Sequence, residues 1–477
     1  QFINVASLPQ HALETIHFIL DVPDVFRKRA LYGLRMLFLP FRVQLQEVDK
    51  ASSDSFTLYY GIDPKPVQGV TASFTLKPDT MSFFEGHQPL PIVKRYLRVE
   101  DERIPVLFES SGDFSFDPVA GVFYFLSGWQ EVHTKKCDEH GRFPFECSIQ
   151  SALNLAAQPT VDWMRLIVAT KLKSKGAILE RKTWGADSWM CCPTHDIDYD
   201  RKWRPGIYKR EVLDRSILNQ NKESIPHRIG RTMRAVASLI TTDDPFRNAM
   251  NRMRSEVEAR NGSATYFFKS GGRGLRDVSY DLKNSFMLEQ RILLQRAGFG
   301  IGLHPSYHTF LSSVQLEQEK TKLDNVMMRR TTVHRSHYLR YQHPKSAYLI
   351  AQAGFKIDSS LGFATQCGFR HATCLPFPLF NPVEDVELDV WEMPLSVMES
   401  ALFNRMNLSP SEAIDYTRKL IHTCADFGGV FVGLWHNTLW DEMDYPGWGA
   451  HFEATLDETV RQEGGMKALE GALDSWK

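Results

Sequence analysis

The chain has 477 residues, of which 43% are hydrophobic and 24% charged, and this composition excludes a disordered chain or a fibrous repeat. Its 56 Lys and Arg residues are balanced by 57 Asp and Glu residues, so no overall charge directs it toward nucleic acid or an anionic membrane. The length predicts two or three domains, and two is our working number.

Targeting and redox signals are few. No apolar run approaches the roughly 18 to 20 residues of a membrane span, and the first residues lack the basic-then-apolar layout of a signal peptide, so we expect a cytoplasmic protein without a membrane span. Gln1 is not an initiator Met, which leaves the true start open. The seven cysteines form no C-x-x-C pair, which argues against a disulfide framework or a cysteine zinc finger.

Residues 1–160 carry strand-like segments at 55–62, 69–76 and 121–133. They predict a small mixed α/β domain of unknown role. Residues 161–184 then have a helical pattern and predict a connector.

From residue 185 to 477 the pattern becomes strand, loop and helix in repetition. Seven segments are typical of strands: 188–192, 264–269, 299–303, 331–334, 355–359, 388–398 and 429–436. Helical patterns separate most of them, as at 284–298 and 410–428, the latter with Asn407 or Ser409 as a possible cap and Gly428 at its end. Such alternation predicts parallel strands with crossover helices, here a (β/α) barrel of about seven strands.

Polar side chains follow five of these strands, at the edge where barrel loops converge. They are Asp196 and Asp198, His304 and His308, Arg335 and His337, Asp358, and His436. Several strand ends therefore predict one chemical site.

Asp196 and Asp198 alternate along an extended backbone, so their carboxylates point the same way, and a cation would relieve that crowding. His304 and His308 are four residues apart, a spacing that places both imidazoles on one side of a helical turn, with Pro305 at its first position. With Asp198 they predict a divalent metal site that leaves positions open. A lone H-x-x-x-H spacing is equally compatible with one exposed and one capping histidine.

Four motifs in order, "THDID", "HPSYH", "RSHY" and "LWH", resemble those of the polysaccharide deacetylases, a family of metal-dependent carbohydrate esterases with a distorted (β/α) barrel fold. The resemblance spans about residues 185–477. "RSHYLRY", "AGFKIDSSLGFATQCGFR" and "LPFPLF" are similar to a bacterial subgroup with an additional N-terminal domain.

The resemblance implies that Asp198, His304 and His308 hold the metal, most simply Zn²⁺. It implies that Asp196 is the general base for the attacking water, that Arg335 orients this base, and that His436 is the acid for the leaving nitrogen. The chain departs from the family pattern at four positions: Ile197 is inserted between the two acids of the first motif, His195 stands where Phe is usual, Pro305 where Ser or Thr is, and His337 where Pro is.

The resemblance also implies an acid that tunes His436, and either Asp358 or Glu399 could be this acid. Tyr307, Tyr338 and Trp435 are candidates for stacking on a sugar ring. The basic stretch 201–215, followed by 227–234, is either a solvated helical surface or a dock for an anionic ligand.

Together these features predict a metal-dependent hydrolase that removes N-acetyl groups from an acetylated amino sugar, with a carbohydrate as substrate and no nucleic-acid partner. Two alternatives stay open at this point: a hydrolase of another small amide on the same metal site, and a non-catalytic barrel that binds a glycan or acts as a scaffold.

Overall fold

The computed structural model describes residues 14–63, 68–87, 90–272, 274, 276–277 and 279–477, with Pro205 described by its backbone only. Elements are numbered in chain order. None of the helices in this described part of the chain is long and apolar enough to cross a bilayer.

The N-terminal region contains a five-stranded sheet of order β2-β1-β3-β4-β7, parallel except for β7, and a separate β5–β6 hairpin. Its strands are β1 (Glu14–Asp21), β2 (Val43–Glu47), β3 (Thr57–Gly61), β4 (Ala72–Leu76), β5 (Arg95–Val99), β6 (Glu102–Val106) and β7 (Ser110–Gly112). Its helices are α1 (Arg27–Phe38), α2 (Pro78–Phe84), α3 (Pro118–Leu126), α4 (Trp129–Val132), α5 (Ile149–Ala152) and α6 (Thr160–Ser174). The strands expected at 55–62 and 69–76 correspond to β3 and β4.

The expected strand at 121–133 is wrong, because this segment belongs to helices α3 and α4. Asp117 caps α3 by accepting a hydrogen bond from the Ala120 backbone N–H, and Pro118 occupies the first turn. The helix is buried on every side, so its sequence has none of the polar positions that reveal a helical period.

The C-terminal region forms a ten-stranded sheet whose path runs β13-β14-β12-β11-β10-β9-β8-β16-β15, with β17 paired to β8. Its strands are β8 (Met190–Ile197), β9 (Thr265–Phe268), β10 (Gly300–Leu303), β11 (Val333–His334), β12 (Ile357–Asp358), β13 (Phe377–Asn381), β14 (Val386–Glu392), β15 (Leu395–Met398), β16 (Val430–His436) and β17 (Gly465–Met466). Its helices are α7 (Pro205–Tyr208), α8 (Ile225–Ala237), α9 (Pro245–Glu258), α10 (Ser285–Arg296), α11 (Ser313–Met327), α12 (Lys345–Gln352), α13 (Glu399–Asn404), α14 (Pro410–Asp426), α15 (Trp448–Arg461) and α16 (Leu469–Ser475).

The sheet curls into a (β/α) barrel, as the sequence predicts. Strand β14 pairs with β12 and β15 pairs with β16, near opposite ends of the sheet path. Only Met393 and Pro394 connect these two strands, so the two ends of the sheet must approach each other. The single strand expected at 388–398 is two strands, because Pro394 has no N–H to continue a ladder.

The two regions share one apolar core, since the largest buried cluster runs from Ile16 to Met466. Across it, the Tyr32 hydroxyl donates to the Pro378 carbonyl at 2.8 Å, and Arg165 lies 3.1 Å from the Thr373 hydroxyl. The division into a domain of residues 1–160, a connector and a barrel from 185 stays a prediction.

Candidate active site

Strand β8 delivers two carboxylates to the carboxyl edge of the barrel. Asp196 lies within the strand and Asp198 directly follows it, and both approach His304, whose Nε2 is 3.6 Å from Asp196 Oδ2 and from Asp198 Oδ1. The shared orientation expected from their alternation is therefore present. Burial raises the pKa of Asp196 to about 6.

Asp198, His304 and His337 form a group whose ligand atoms lie within 4.8 Å of one another. Asp198 Oδ1 is 3.7 Å from His337 Nε2, and the rings of the two histidines are 5.0 Å apart at a steep angle. One carboxylate oxygen and two imidazole nitrogens are ligands that zinc accepts. This is the set of residues that could hold a metal.

The Nδ1 atom of each imidazole contacts an oxygen atom of a neighbouring residue. His304 Nδ1 donates to the Arg335 carbonyl at 2.9 Å, and His337 Nδ1 lies 3.3 Å from Asp277 Oδ1. Both Nε2 atoms face Asp198 Oδ1, and His337 Nε2 also lies 2.9 Å from Lys269 Nζ. Burial also lowers the pKa of both histidines, which favours the neutral form that has a lone pair to donate.

The surroundings of Asp198 Oδ1 show whether these residues fit a cation. This atom is buried, and no hydrogen-bond donor among the described residues reaches it. A buried carboxylate oxygen without a partner is unfavourable unless something else supplies positive charge. A divalent ion held by Asp198, His304 and His337 satisfies it, so the residues fit the metal that the sequence implies.

His308 does not belong to this group, so the structure brings together a trio that differs from the one the sequence predicts. Residues 304–306 are non-helical and His308 lies exposed in a turn, so no helical turn joins it to His304. Glu319 accepts a 2.8 Å hydrogen bond from the Ser306 N–H and Asp277 accepts one of 2.7 Å from Tyr307 N–H. These bonds hold the segment in its non-helical conformation, and His337 rather than His308 lies beside Asp198.

Arg335 is fully buried beside Asp196, with its Nη1 3.4 Å from Asp196 Oδ1. The same guanidinium donates to the Thr194 hydroxyl at 2.5 Å and to the Ser359 carbonyl at 2.8 Å, so its position is fixed. A fixed cation at this distance can orient the Asp196 carboxylate.

His436 ends β16 with its Nε2 4.0 Å from Asp196 Oδ2. Its Nδ1 lies 3.0 Å from Glu399 Oε1. Burial alone lowers the pKa of His436, but the Glu399 carboxylate outweighs it and raises this pKa to about 10. Of the two acids considered for tuning His436, Glu399 is the one in contact, whereas Asp358 accepts a 2.8 Å hydrogen bond from His334.

A cavity of about 630 Å³, a size suited to a small ligand, is lined by Asp196, Asp198, His304, His337 and His436. Of the three aromatic candidates only Tyr338 lines it, with 42% of its surface exposed. The Tyr307 hydroxyl instead lies 2.9 Å from His140 Nδ1, and Trp435 is fully buried against Phe452.

The sequence missed part of this lining. His140 and Arg142, from the N-terminal region, reach the cavity, and no spacing in the sequence indicates it. Lys269 was also missed: it is buried with its Nζ 2.9 Å from both ring nitrogens of His337. It directly follows β9, so its position after a strand was an available signal. His337 itself was visible as the departure from Pro in "RSHY".

Comparison with known proteins gives partial matches. A family of unknown function, DUF7033, matches residues 20–177. No curated protein matches the sequence.

Among solved structures, a polysaccharide deacetylase from Mycobacterium smegmatis is 17% identical, covering 61% of this chain and 91% of its own, with a TM-score of 0.39. The peptidoglycan deacetylase PdaC from Bacillus subtilis is 10% identical, covering 60% and 91%, with a TM-score of 0.31. A CE4 family pseudoenzyme from Bacillus anthracis is 8% identical, covering 60% and 66%, with a TM-score of 0.33. At these scores the function of this chain rests on its own residues.

Proposed function

We propose that this chain is a metal-dependent hydrolase that removes the N-acetyl group from an acetylated amino sugar of a glycan or its precursor. The observation that carries the proposal is the unpartnered Asp198 Oδ1, which faces the Nε2 atoms of His304 and His337. His304 Nε2 also lies 3.6 Å from Asp196, the proposed base. The order of the four sequence motifs supports the deacetylase assignment. In this proposal His337 takes the ligand position that the family resemblance gives to His308.

A divalent metal such as Zn²⁺, bound by Asp198, His304 and His337, supplies Lewis-acid polarisation of the amide carbonyl and lowers the pKa of water. With a pKa of about 6, Asp196 is ionised at neutral pH and accepts the proton of the attacking water. Arg335 holds this carboxylate from its other side.

The C–N bond then breaks with a proton supplied to nitrogen. His436 remains protonated at neutral pH because Glu399 raises its pKa to about 10, and its Nε2 faces Asp196 across 4.0 Å. It donates that proton to the leaving amine, so the products are acetate and a free amino sugar. The polar cavity between these groups, lined also by Tyr338 and Arg142, receives the substrate.

The test compares two histidine variants. His337→Ala is expected to weaken Zn²⁺ binding by more than the roughly 10–100-fold that loss of a ligand's supporting partner costs, whereas exposed His308→Ala leaves it unchanged. Zinc affinity is measured by calorimetry, and acetate release is measured on a panel of N-acetylated oligosaccharides with and without chelator.

Two outcomes contradict the proposal. Absence of acetate release by the zinc-loaded wild-type protein across the panel rejects the deacetylase activity. Loss of zinc affinity in His308→Ala, with His337→Ala unaffected, rejects the assigned ligand set.

A further inference from the structure

Residues 205–240 form a helical hairpin, here called the rim hairpin, which precedes helix α9 in the chain. It consists of α7, a π-helix over Lys209–Ile217 and α8. It begins shortly after Asp198 in the chain, and its arginines form ion pairs with Asp441 and Asp444 in the loop that follows His436. It therefore borders the mouth of the barrel.

The rim hairpin buries its charged surface. Arg231 is 2% exposed and forms ion pairs with Glu211, Glu223 and Asp444, the last at 2.9 Å. Arg234 contacts Asp441 at 2.7 Å on the same side of α8. Arg231 and Arg234 thus lie on the side of α8 that faces the loop after β16.

Its apolar surface faces outward, which is the reverse of an ordinary amphipathic helix on a globular protein. Apolar residues at spacings of three and four along α8 and just beyond it are 54–86% exposed: Ile225, Ile229, Met233, Val236, Leu239 and Ile240. Ile217 and Leu218 extend this surface from the π-helix, being 61% and 58% exposed. An exposed apolar patch of this kind is typical of a surface that binds a protein, a membrane or a ligand.

The charge of the segment distinguishes between the possible occupants. The rim hairpin contains seven Lys and Arg against three Asp and Glu, a formal charge of +4 that Asp441 and Asp444 of the loop after β16 offset in part. Lys209 and Lys222 are exposed and have no ion-pair partner within the described ranges. An anionic lipid surface offers both apolar depth and negative charge to these lysines, whereas a second copy of this surface offers only the apolar contact.

We propose that the rim hairpin binds the surface of an anionic lipid bilayer, with the apolar side of α8 inserted at the headgroup boundary and its free lysines on lipid phosphates. Because the hairpin borders the barrel mouth, this binding holds the candidate site at the membrane surface. The inference does not depend on the reaction proposed above.

The test is cosedimentation of the full chain with vesicles of 70% phosphatidylcholine and 30% phosphatidylglycerol, compared with pure phosphatidylcholine. The wild-type protein is expected to bind the anionic vesicles, and raised salt and the neutral vesicles are each expected to weaken binding by at least about tenfold. The double variant Ile229→Glu with Met233→Glu is expected to lose binding by at least about tenfold. The matched control, Val383→Glu with Val460→Glu, changes equally exposed apolar residues outside the hairpin and is expected to bind like the wild type.

Three results overturn the inference. The wild-type protein remains in the supernatant with anionic vesicles, or the hairpin variant binds as well as the wild type. The third is a dimer in the absence of lipid that only the hairpin variant dissociates, measured by analytical ultracentrifugation, since this assigns the patch to a second copy. Unchanged unfolding temperatures of both double variants show that they fold.

Discussion

Two groups of buried or half-buried acidic residues follow strands β8 and β16, and they differ in how their charge is balanced. Asp441 and Asp444 are held by Lys202, whose Nζ lies 2.8 Å from Asp444 Oδ2, and by arginines of the rim hairpin. Asp198 keeps an oxygen that no donor among the described residues reaches. The chain itself satisfies the first group, whereas it leaves an oxygen of Asp198 without a partner.

The pKa values of Asp196 and Asp444 move in opposite directions because neighbouring cations compensate the burial of the two carboxylates to different extents. Burial raises the pKa of Asp196 to about 6 because Arg335 compensates it only partly. Burial acts in the same sense on Asp444, but Lys202, Arg231 and Arg215 outweigh it and hold that pKa below its ordinary value. The comparison teaches that burial of a carboxylate marks a site only where the surrounding chain leaves it undercompensated.

The largest expected effect is on Asp198. Asp198→Ala is expected to reduce Zn²⁺ affinity by more than the roughly 10–100-fold cost of losing a ligand's partner, and to abolish acetate release. Because it removes an unpartnered buried oxygen, it leaves the metal-free protein as stable or raises its free energy of unfolding, by up to about 3 kcal/mol.

Calorimetry with zinc and denaturant unfolding of the metal-free protein measure the two quantities. Asp200→Ala is the control, since Asp200 is paired with Asn284 at 3.0 Å and lies outside the metal group. A metal-free Asp198→Ala protein that is much less stable would show that Asp198 belongs to the structural class of acids.

The next effect is on Arg231. Arg231→Met is expected to lower the free energy of unfolding by about 3–5 kcal/mol, because it leaves the fully buried Glu211 and the largely buried Asp444 without this partner. Arg234→Met, on the same helix with a side chain 37% exposed, is expected to cost no more than about 1 kcal/mol.

Denaturant unfolding measures both arginine variants, and their zinc affinity is expected to equal that of the wild type. Equal, small losses of stability in both would mean that the buried network does not hold the hairpin.

The smallest effect separates the two acids considered for His436. Glu399→Gln is expected to reduce kcat/KM by roughly 10–100-fold with zinc affinity retained. His436 acts only while protonated, so activity falls as pH rises through its pKa; since Glu399 raises this pKa to about 10, the variant loses activity at lower pH than the wild type.

The pH profile of kcat/KM is the measurement. Asp358→Asn is the control, because Asp358 contacts His334 rather than His436. A shift of the alkaline limb in Asp358→Asn and none in Glu399→Gln would assign the tuning role to the other acid.

Local patterns were enough for much of the barrel. The seven strand segments from residue 188 onward correspond to strands, with one divided at Pro394, and Ser409 caps α14 with Glu412 as its reciprocal partner. Caps, turns and strand lengths depend on residues that are close together in the chain, so they can be predicted from the sequence. Helix α3 was missed because complete burial removes its periodicity.

The ligand set and the hairpin needed the tertiary structure. Whether His308 or His337 reaches Asp198 depends on Glu319 and Asp277, residues from other segments that fix the loop after β10. Likewise, the spacing in α8 indicates two surfaces but not which one faces the barrel, since Asp444 and Asp441 come from a loop some 200 residues away.

The sequence alone determined the barrel pattern, the polar strand ends and the types of residue available for chemistry, because these follow from period and spacing along the chain. Only the tertiary structure decided which carboxylate oxygens lack a partner, which histidines face Asp198 and which side of α8 is exposed. These properties depend on contacts between distant segments, and a local pattern carries no information about a partner that is far away in the chain.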